Sequence, residues 1–158
     1  MKGKSNKAAT GLAAVGWWLM AACNSGTLYS SYVSMGGEGW NRQDTIHFNL
    51  NPMEHAGLFA EEVGLRTNGA YPFTTISMIV EQQAQPSGLQ RTDTINVSIT
   101  DKEGTVLGEG ICLYQYHTQL KPMKLLKGDT LSVDIRHNMV RQQLNGVNDV
   151  GFTLNEIP

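Results

Sequence analysis

The sequence predicts an all-β fold, a single antiparallel β-sandwich of about eight strands, and two observations support this prediction. First, apolar and polar residues alternate with period two in successive runs between residues 45 and 154, which is typical of half-buried strands. Second, turn-forming sequences such as Asn51-Pro52 and Thr67-Asn68-Gly69 separate the runs. Jelly-roll and immunoglobulin-like arrangements both fit this pattern.

The predicted strands follow one another along the chain. Residues 29–35 are a candidate first strand, and Gly36 and Gly37 break it. The apolar positions of the later runs are Ile46, Phe48, Leu50, Phe59, Val63, Leu65, Ile76, Met78, Val80, Ile95, Val97, Ile99, Leu131, Val133, Ile135, Phe152 and Leu154. Residues 101–104 form a hairpin loop between two runs. The best helical candidate is residues 138–144, and it is short.

The N-terminal residues have the pattern of a secretory signal peptide. Lys2, Lys4 and Lys7, with no acid among them, precede a mostly small or apolar stretch at residues 8–22. A basic region followed by a short apolar region is typical of such peptides. The alternative is a membrane-spanning helix, which needs about 20 apolar residues, more than this stretch offers.

Cys23 is the predicted site of cleavage and lipidation. Ala21 and Ala22 precede it, and signal peptidases require small residues before the cut. The triplet resembles the bacterial lipobox, in which the cysteine thiol receives a diacylglycerol and becomes the new N-terminus. An ordinary signal peptide with a nearby cysteine is the alternative. The predicted organisation is a lipoprotein signal peptide at residues 1–22, a lipidated N-terminus and tether at 23–39 that grades into the domain, and a β-sandwich at 40–158.

Length, charge and cysteine content narrow the class of protein. The 158 residues suit a single domain. The net charge is −2 and no run of basic residues occurs, so nucleic-acid binding has no electrostatic support. If the thiol of Cys23 is lipidated, Cys112 has no intramolecular partner. Because Cys112 lies between Ile111 and Leu113, we predict a buried structural thiol.

The sequence contains no catalytic motif, so we predict that the protein is not an enzyme. The histidines are His47, His55, His117 and His137. Their spacing matches no common zinc motif, and we predict no metal site and no cofactor. His47 and His137 are expected to face solvent. Adjacent Glu61 and Glu62 point to opposite faces of a strand and cannot form a catalytic pair.

The aromatic residues leave two interpretations open. The residues concerned are Trp40, Tyr71, Phe73, Tyr114 and Tyr116. They could form a carbohydrate-stacking platform on the sandwich. Core or cross-strand packing is the interpretation we favour, because aromatic residues on strands are more often used that way.

Several short motifs resemble the GldH family of gliding-motility lipoproteins from Bacteroidota. The most specific are Leu65-Arg66 followed by Tyr71-Pro72, and the run at residues 139–151 that contains Arg141 and ends Asp149-Val150-Gly151. The resemblance extends over essentially the whole mature chain. The motif residues singled out are Arg66, Tyr71, Pro72, Met139, Gly146, Asp149 and Gly151.

The motif residues allow a structural interpretation, which we prefer to a ligand site. Gly146 and Gly151 flank Asp149, which indicates a turn into the last strand with Asp149 capping backbone amides. Arg66 and Arg136 are candidates for a partly buried ion pair with Asp149 or another acid such as Asp93.

The resemblance implies a lipoprotein associated with gliding motility and, through the same gene group, with the type IX secretion apparatus. We therefore expect a membrane-anchored, non-enzymatic accessory component that binds envelope protein partners through an exposed sheet surface or loops. A lipid-tethered glycan-binding module is the alternative. Residues 24–27 contain no acid, whereas surface-displayed lipoproteins of this phylum tend to carry acids there. This predicts a lipid-anchored protein of the cell envelope, on the outer membrane and facing the periplasm.

Overall fold

The protein is described by a computed structural model that covers residues 26–157, and the predicted all-β fold is confirmed there. The described residues contain no helix, and so none that could cross a membrane. The strands are β1 (Thr27–Ser34), β2 (Trp40–Asn41), β3 (Ile46–Asn49), β4 (Gly57–Asn68), β5 (Thr75–Gln85), β6 (Gln90–Ser98), β7 (Leu113–Gln119), β8 (Met123–Leu125), β9 (Thr130–His137), β10 (Gln143–Leu144) and β11 (Val147–Glu156).

The strands form two antiparallel sheets that pack face to face. Sheet I has the order β1-β11-β4-β7, and β8 pairs with the first residues of β4. Sheet II has the order β3-β9-β5-β6, and the short strands β2 and β10 pair with each other. Each pairing is antiparallel, as expected for strands joined by short loops and hairpins.

The core lies between the two sheets and is built from the predicted apolar positions. Phe48 of sheet II meets Phe152 of sheet I with ring centroids 6.1 Å apart. Trp40 and Phe59 are fully buried in the same core. Burial of each such side chain contributes about 1.5–3 kcal/mol relative to exposure. The period-two alternation therefore arises because one face of each sheet is buried in the core, away from water.

The loops gather at two ends of the sandwich. We call one the entry end; it contains Gly26 and the loops at residues 50–56, 86–89 and 126–129. We call the other the far end; it contains the loops at residues 35–39, 69–74, 99–112 and 138–142. The twelve residues of β4 run between them, which separates the two ends by about 40 Å.

Asp129 ties the loops of the entry end together. Its carboxylate accepts hydrogen bonds from the backbone N–H groups of Ser87 at 3.0 Å and Leu126 at 2.9 Å. These donors, Leu126 first, hold the pKa of Asp129 below its ordinary value. Nearby, the N–H of Gly128 donates to the carbonyl of Met53 at 2.8 Å. The carboxylate thus replaces water for amides of two different turns.

The first strand begins earlier than the sequence indicated. β1 pairs with β11 from Thr27 to Ser34, so these residues belong to sheet I although they lie in the segment assigned to the tether. The predicted signal peptide at residues 1–22 and the lipidation site Cys23 lie outside the described residues.

The helical candidate at residues 138–144 does not form a helix. Residues 138–142 form a loop, and β10 follows it. The N–H of Asn138 donates to the carbonyl of Ser77 at 2.8 Å, and Leu144 pairs with Trp40 and is fully buried. Tertiary pairing has therefore overridden a weak local helical preference.

The prediction of a buried Cys112 is also wrong. Cys112 is exposed, and its neighbour Ile111 is 89% exposed. Ile111 and Cys112 lie in the bend that precedes β7, and Leu113 is the first residue of that strand. Gly110, with φ +138°, starts this bend.

One of the two histidines expected to face solvent is buried. His47 is exposed as predicted, 2.7 Å from Asp134. His137 is only 1% exposed, because it continues the inward parity of Val133 and Ile135 on β9. Its ring meets Trp40 edge-on at 5.2 Å, and burial lowers its pKa.

Candidate functional site

Two loops at the far end enclose an open groove, which we call the far-end groove. Pro72 and Phe73 line it from the β4–β5 loop, and Met139, Val140 and Arg141 line it from the β9–β10 loop. Val140 is 96% exposed, although valine is usually buried. The guanidinium of Arg141 lies 5.9 Å from the centroid of the Phe73 ring. The groove is therefore apolar with one cationic edge.

The β4–β5 loop is held by hydrogen bonds from residues at its base. The side-chain oxygen of Asn68 accepts from the N–H of Ala70 at 2.9 Å, and its carbonyl accepts from the N–H of Tyr71 at 3.2 Å. The hydroxyl of Tyr71 donates to the carbonyl of Thr75 at 3.0 Å, and burial raises its pKa. Tyr71 also meets Phe73 edge-on at 5.7 Å, which positions Phe73 in the groove.

Gly146 makes the close approach of this loop to β11 possible. Its φ is +83°, and a Cβ atom there would lie 2.2 Å from the backbone nitrogen of Tyr71. The carbonyl of Gly146 accepts a hydrogen bond from the N–H of Asn68 at 2.8 Å. A larger residue would push the Tyr71 loop away, so only glycine fits this turn.

Met139 fixes the second loop of the groove. Its sulfur lies 3.3 Å from the backbone nitrogen of Ser77, which donates to it. Its own N–H donates to Nδ1 of His137 at 3.4 Å. With Met139 held inward, the next residue, Val140, projects into solvent. The structure thus brings four predicted motif residues together around one groove: Tyr71, Pro72, Met139 and Gly146.

The other motif residues lie on the outer face of sheet I. The ring of Tyr32 lies across Gly151 and Gly64; a Cβ on Gly151 would be 2.6 Å from Tyr32 Cδ1, and one on Gly64 would be 2.2 Å from its hydroxyl oxygen. The guanidinium of Arg66 lies 4.1 Å from the Tyr32 ring centroid. Burial raises the pKa of Tyr32, and Arg66 opposes that rise. Because Gly64 and Gly151 have no side chains, the Tyr32 ring can lie flat against the backbone of both strands.

The predicted ion pairs are only partly as expected. Arg66 does face Asp149, with the closest nitrogen and oxygen 3.9 Å apart. Asp149 lies within β11, in register with Arg66, so it does not cap turn amides as predicted. Arg136 pairs with Glu81 at 3.0 Å and not with the expected acids. Asp93 pairs with Arg91, at 2.8 Å.

A buried polar cluster joins the two sheets. Glu61 of β4 is fully buried and contacts Arg91 of β6 and Gln82 of β5; its oxygen accepts from the Gln82 amide at 2.7 Å. Burial raises the pKa of Glu61 to about 7, although Arg91 and Gln82 both oppose the rise. Arg91 also donates to the carbonyl of Lys121 at 2.7 Å. The cluster cross-links sheet I to sheet II through the core.

This cluster was missed by the sequence reasoning, although the signal was present. Glu61 shares the inward parity of Phe59 and Val63, so its burial followed from the alternation. Arg91 and Asp93 share the parity of Val97 in the same way. As predicted, Glu61 and Glu62 face opposite sides of β4, and Glu62 instead pairs with His117 at 2.5 Å.

The remaining candidates are the aromatic residues and the possible metal ligands. Trp40 and Tyr116 belong to the core, whereas Tyr71, Phe73 and Tyr114 are half-buried, so the five do not form an exposed platform. Among residues 26–157, no group of three or more histidine, cysteine, aspartate or glutamate side chains is placed to hold a metal ion.

A protein-family model matches most of the chain. The family model described as GldH lipoprotein matches residues 27–154. The chain is 25% identical to the gliding motility lipoprotein GldH of Flavobacterium johnsoniae, covering 87% of this chain and 90% of that protein.

Two of the solved structures that match the chain resemble it distantly. The Eiger TNF of S. frugiperda is 14% identical over 85% of this chain and 88% of that one, with a TM-score of 0.33. A GH115 4-O-methyl-α-glucuronidase is 13% identical over 98% of this chain and 20% of that one, with a TM-score of 0.45. At such scores neither likeness indicates a function.

Proposed function

Because the chain belongs to the GldH lipoprotein family, we propose that it is a non-enzymatic accessory component of the gliding-motility and type IX secretion-associated envelope machinery. In this proposal Cys23 carries the lipid anchor, and the sandwich faces the periplasm from the outer membrane. The protein works by binding an envelope protein partner through the far-end groove.

The observation that carries the proposal is the convergence of motif residues on an exposed apolar groove. Gly146, Tyr71 and Met139 fix the shape of two loops, and Val140 is left 96% exposed at the rim. Exposed apolar surface with a polar surround is typical of protein-binding sites. Burying one such side chain contributes about 1.5–3 kcal/mol, so Val140 alone changes affinity about tenfold or more.

Photo-crosslinking in cells of the native host tests the partner-binding step. A photo-reactive residue at position 140 is expected to give a discrete adduct with one envelope protein. The matched control is position 94, because Thr94 is exposed on sheet II away from the groove. Equal adducts at both positions, or none at position 140, would contradict a binding site at the groove.

A substitution then separates binding from folding. Val140→Asp should reduce recovery of the crosslinked partner about tenfold while leaving the unfolding midpoint unchanged, because the side chain makes few contacts. Thr94→Asp is the control. Protease treatment of intact cells tests the orientation, since a periplasm-facing domain stays protected until the outer membrane is opened.

A further inference from the structure

We propose that the entry end of the sandwich is a membrane-contact surface that lies on the anionic phospholipid headgroups of the leaflet holding the anchor. This inference rests on the proposed lipidation of Cys23. It adds a defined orientation of the domain and a second, non-covalent contact with the bilayer.

Four of the six exposed leucines among residues 26–157 lie at the entry end. Leu28 is 48% exposed, Leu58 47%, Leu89 40% and Leu126 49%. Leu89 and Leu126 lie on loops that are tied together, because Asp129 accepts hydrogen bonds from both Leu126 and the 86–89 turn, whereas Leu28 and Leu58 lie on β1 and β4. Apolar side chains on a rigid rim can enter the boundary between headgroups and acyl chains.

Positive charge accompanies these leucines. Lys124 is the cross-strand partner of Leu58, and Lys127 directly follows Leu126. With Lys121, these are three of the four lysines among residues 26–157, and all three are exposed. Each lysine near an anionic membrane surface contributes about 1 kcal/mol.

Negative charge at the entry end is limited. The exposed acid there is Glu54, while Glu156 lies 2.5 Å from His55. The carboxylate of Asp129 is buried against backbone amides. Basic side chains between leucines therefore fit anionic headgroups better than they fit a neutral or basic surface.

The length of the chain before β1 brings this surface to the bilayer. The carbonyl of Gly26 accepts a hydrogen bond from the N–H of Glu156 at 2.6 Å, so the fold holds the chain from Gly26 onward. Only three residue steps separate Gly26 from Cys23, and they span at most about 11 Å. A lipidated Cys23 therefore keeps the entry end at the membrane surface and directs the far-end groove away from it.

Depth-dependent quenching on vesicles tests the inference with the full lipidated chain. In a Cys112→Ser background, Leu126→Cys and Val140→Cys are each labelled with an environment-sensitive fluorophore. The protein is reconstituted into phosphatidylcholine vesicles containing about a quarter phosphatidylglycerol. Spin-labelled lipid should quench the label at position 126 about threefold more than the label at position 140. Equal quenching of the two labels on protein that floats with the vesicles would overturn the contact surface.

Quenching measured on charge variants provides a second test. K124E/K127E should lower quenching at position 126 about twofold, whereas Lys102→Glu at the far end should not change it. Unchanged quenching in K124E/K127E would overturn the role of the headgroups. Wild-type protein that does not float with vesicles would instead overturn lipidation of Cys23, and with it this inference, so the two failures are distinguishable.

Discussion

Glu61 offers the sharpest test of how the core is held together. It is fully buried between the sheets and contacts Arg91 and Gln82. Two opposing effects act on its carboxylate: burial favours the neutral acid, and Arg91 favours the anion. The substitution Glu61→Gln keeps the shape and stays neutral at every pH, so it separates these effects.

The magnitude follows from the pKa of Glu61 in the two states. It is 4.5 in the unfolded chain and about 7 in the fold. The folded state therefore binds more protons between these values, and stability falls as pH rises through this window. The loss reaches at most about 3 kcal/mol, at about 1.4 kcal/mol per pH unit.

Urea unfolding at several values between about pH 4 and about pH 8, followed by the fluorescence of buried Trp40, measures this loss. The free energy of unfolding of Glu61→Gln, minus that of the wild type, should rise by about 3 kcal/mol between the lowest and the highest pH. Glu81→Gln is the control, because Glu81 is exposed and pairs with Arg136 on the surface. A variant that loses stability relative to the wild type as pH rises would refute the reasoning, since Arg91 would then hold Glu61 ionised.

Three further predictions concern the motif glycines and the exposed thiol. Gly151→Ala should destabilise the fold by about 1–3 kcal/mol because its Cβ meets the Tyr32 ring, and urea unfolding in a Tyr32→Ala background should show a smaller cost. Gly146→Ala should cost at least about 2 kcal/mol in the same assay, through its positive φ and its contact with the Tyr71 loop, whereas Gly37→Ala, with open space around it, should cost little. Cys112 should react with a thiol reagent in the native protein at nearly the rate seen in urea, and protection by folding would contradict its exposure.

The alternation of apolar residues was sufficient to predict most of the fold. Period two places Ile76, Met78 and Val80 on one face of β5, and all three are fully buried. The same rule, applied two residues beyond Ile135 on β9, would have placed His137 inside. The sandwich type could not be predicted, because strand order depends on pairing between residues far apart in the chain, such as β1 with β11.

The candidate site was less predictable than the fold. The motif singled out Tyr71, Met139 and Gly146, but nothing in the sequence indicated that their loops meet at one end of the sandwich. That meeting depends on the contact of Gly146 with the Tyr71 backbone, which is a tertiary feature. Cys112 and Val140 were both in apolar stretches, and the sequence alone cannot distinguish a buried stretch from an exposed loop with apolar residues.

The two groups of motif residues suit different mechanical tasks. β1 is an edge strand of sheet I that starts four residues after Cys23, so any pull between an anchored cysteine and the domain acts first on β1. Tyr32 extends from β1 across Gly151 of β11 to Gly64 of β4, and Arg66 covers its ring. The Tyr32 side chain therefore connects the edge strand β1 to both β11 and β4, whereas backbone hydrogen bonds connect β1 to β11 alone. We infer that Arg66 and Gly151 keep the anchored strand in the sheet, whereas Tyr71, Met139 and Gly146 shape the groove at the far end, just beyond the last residue of β4.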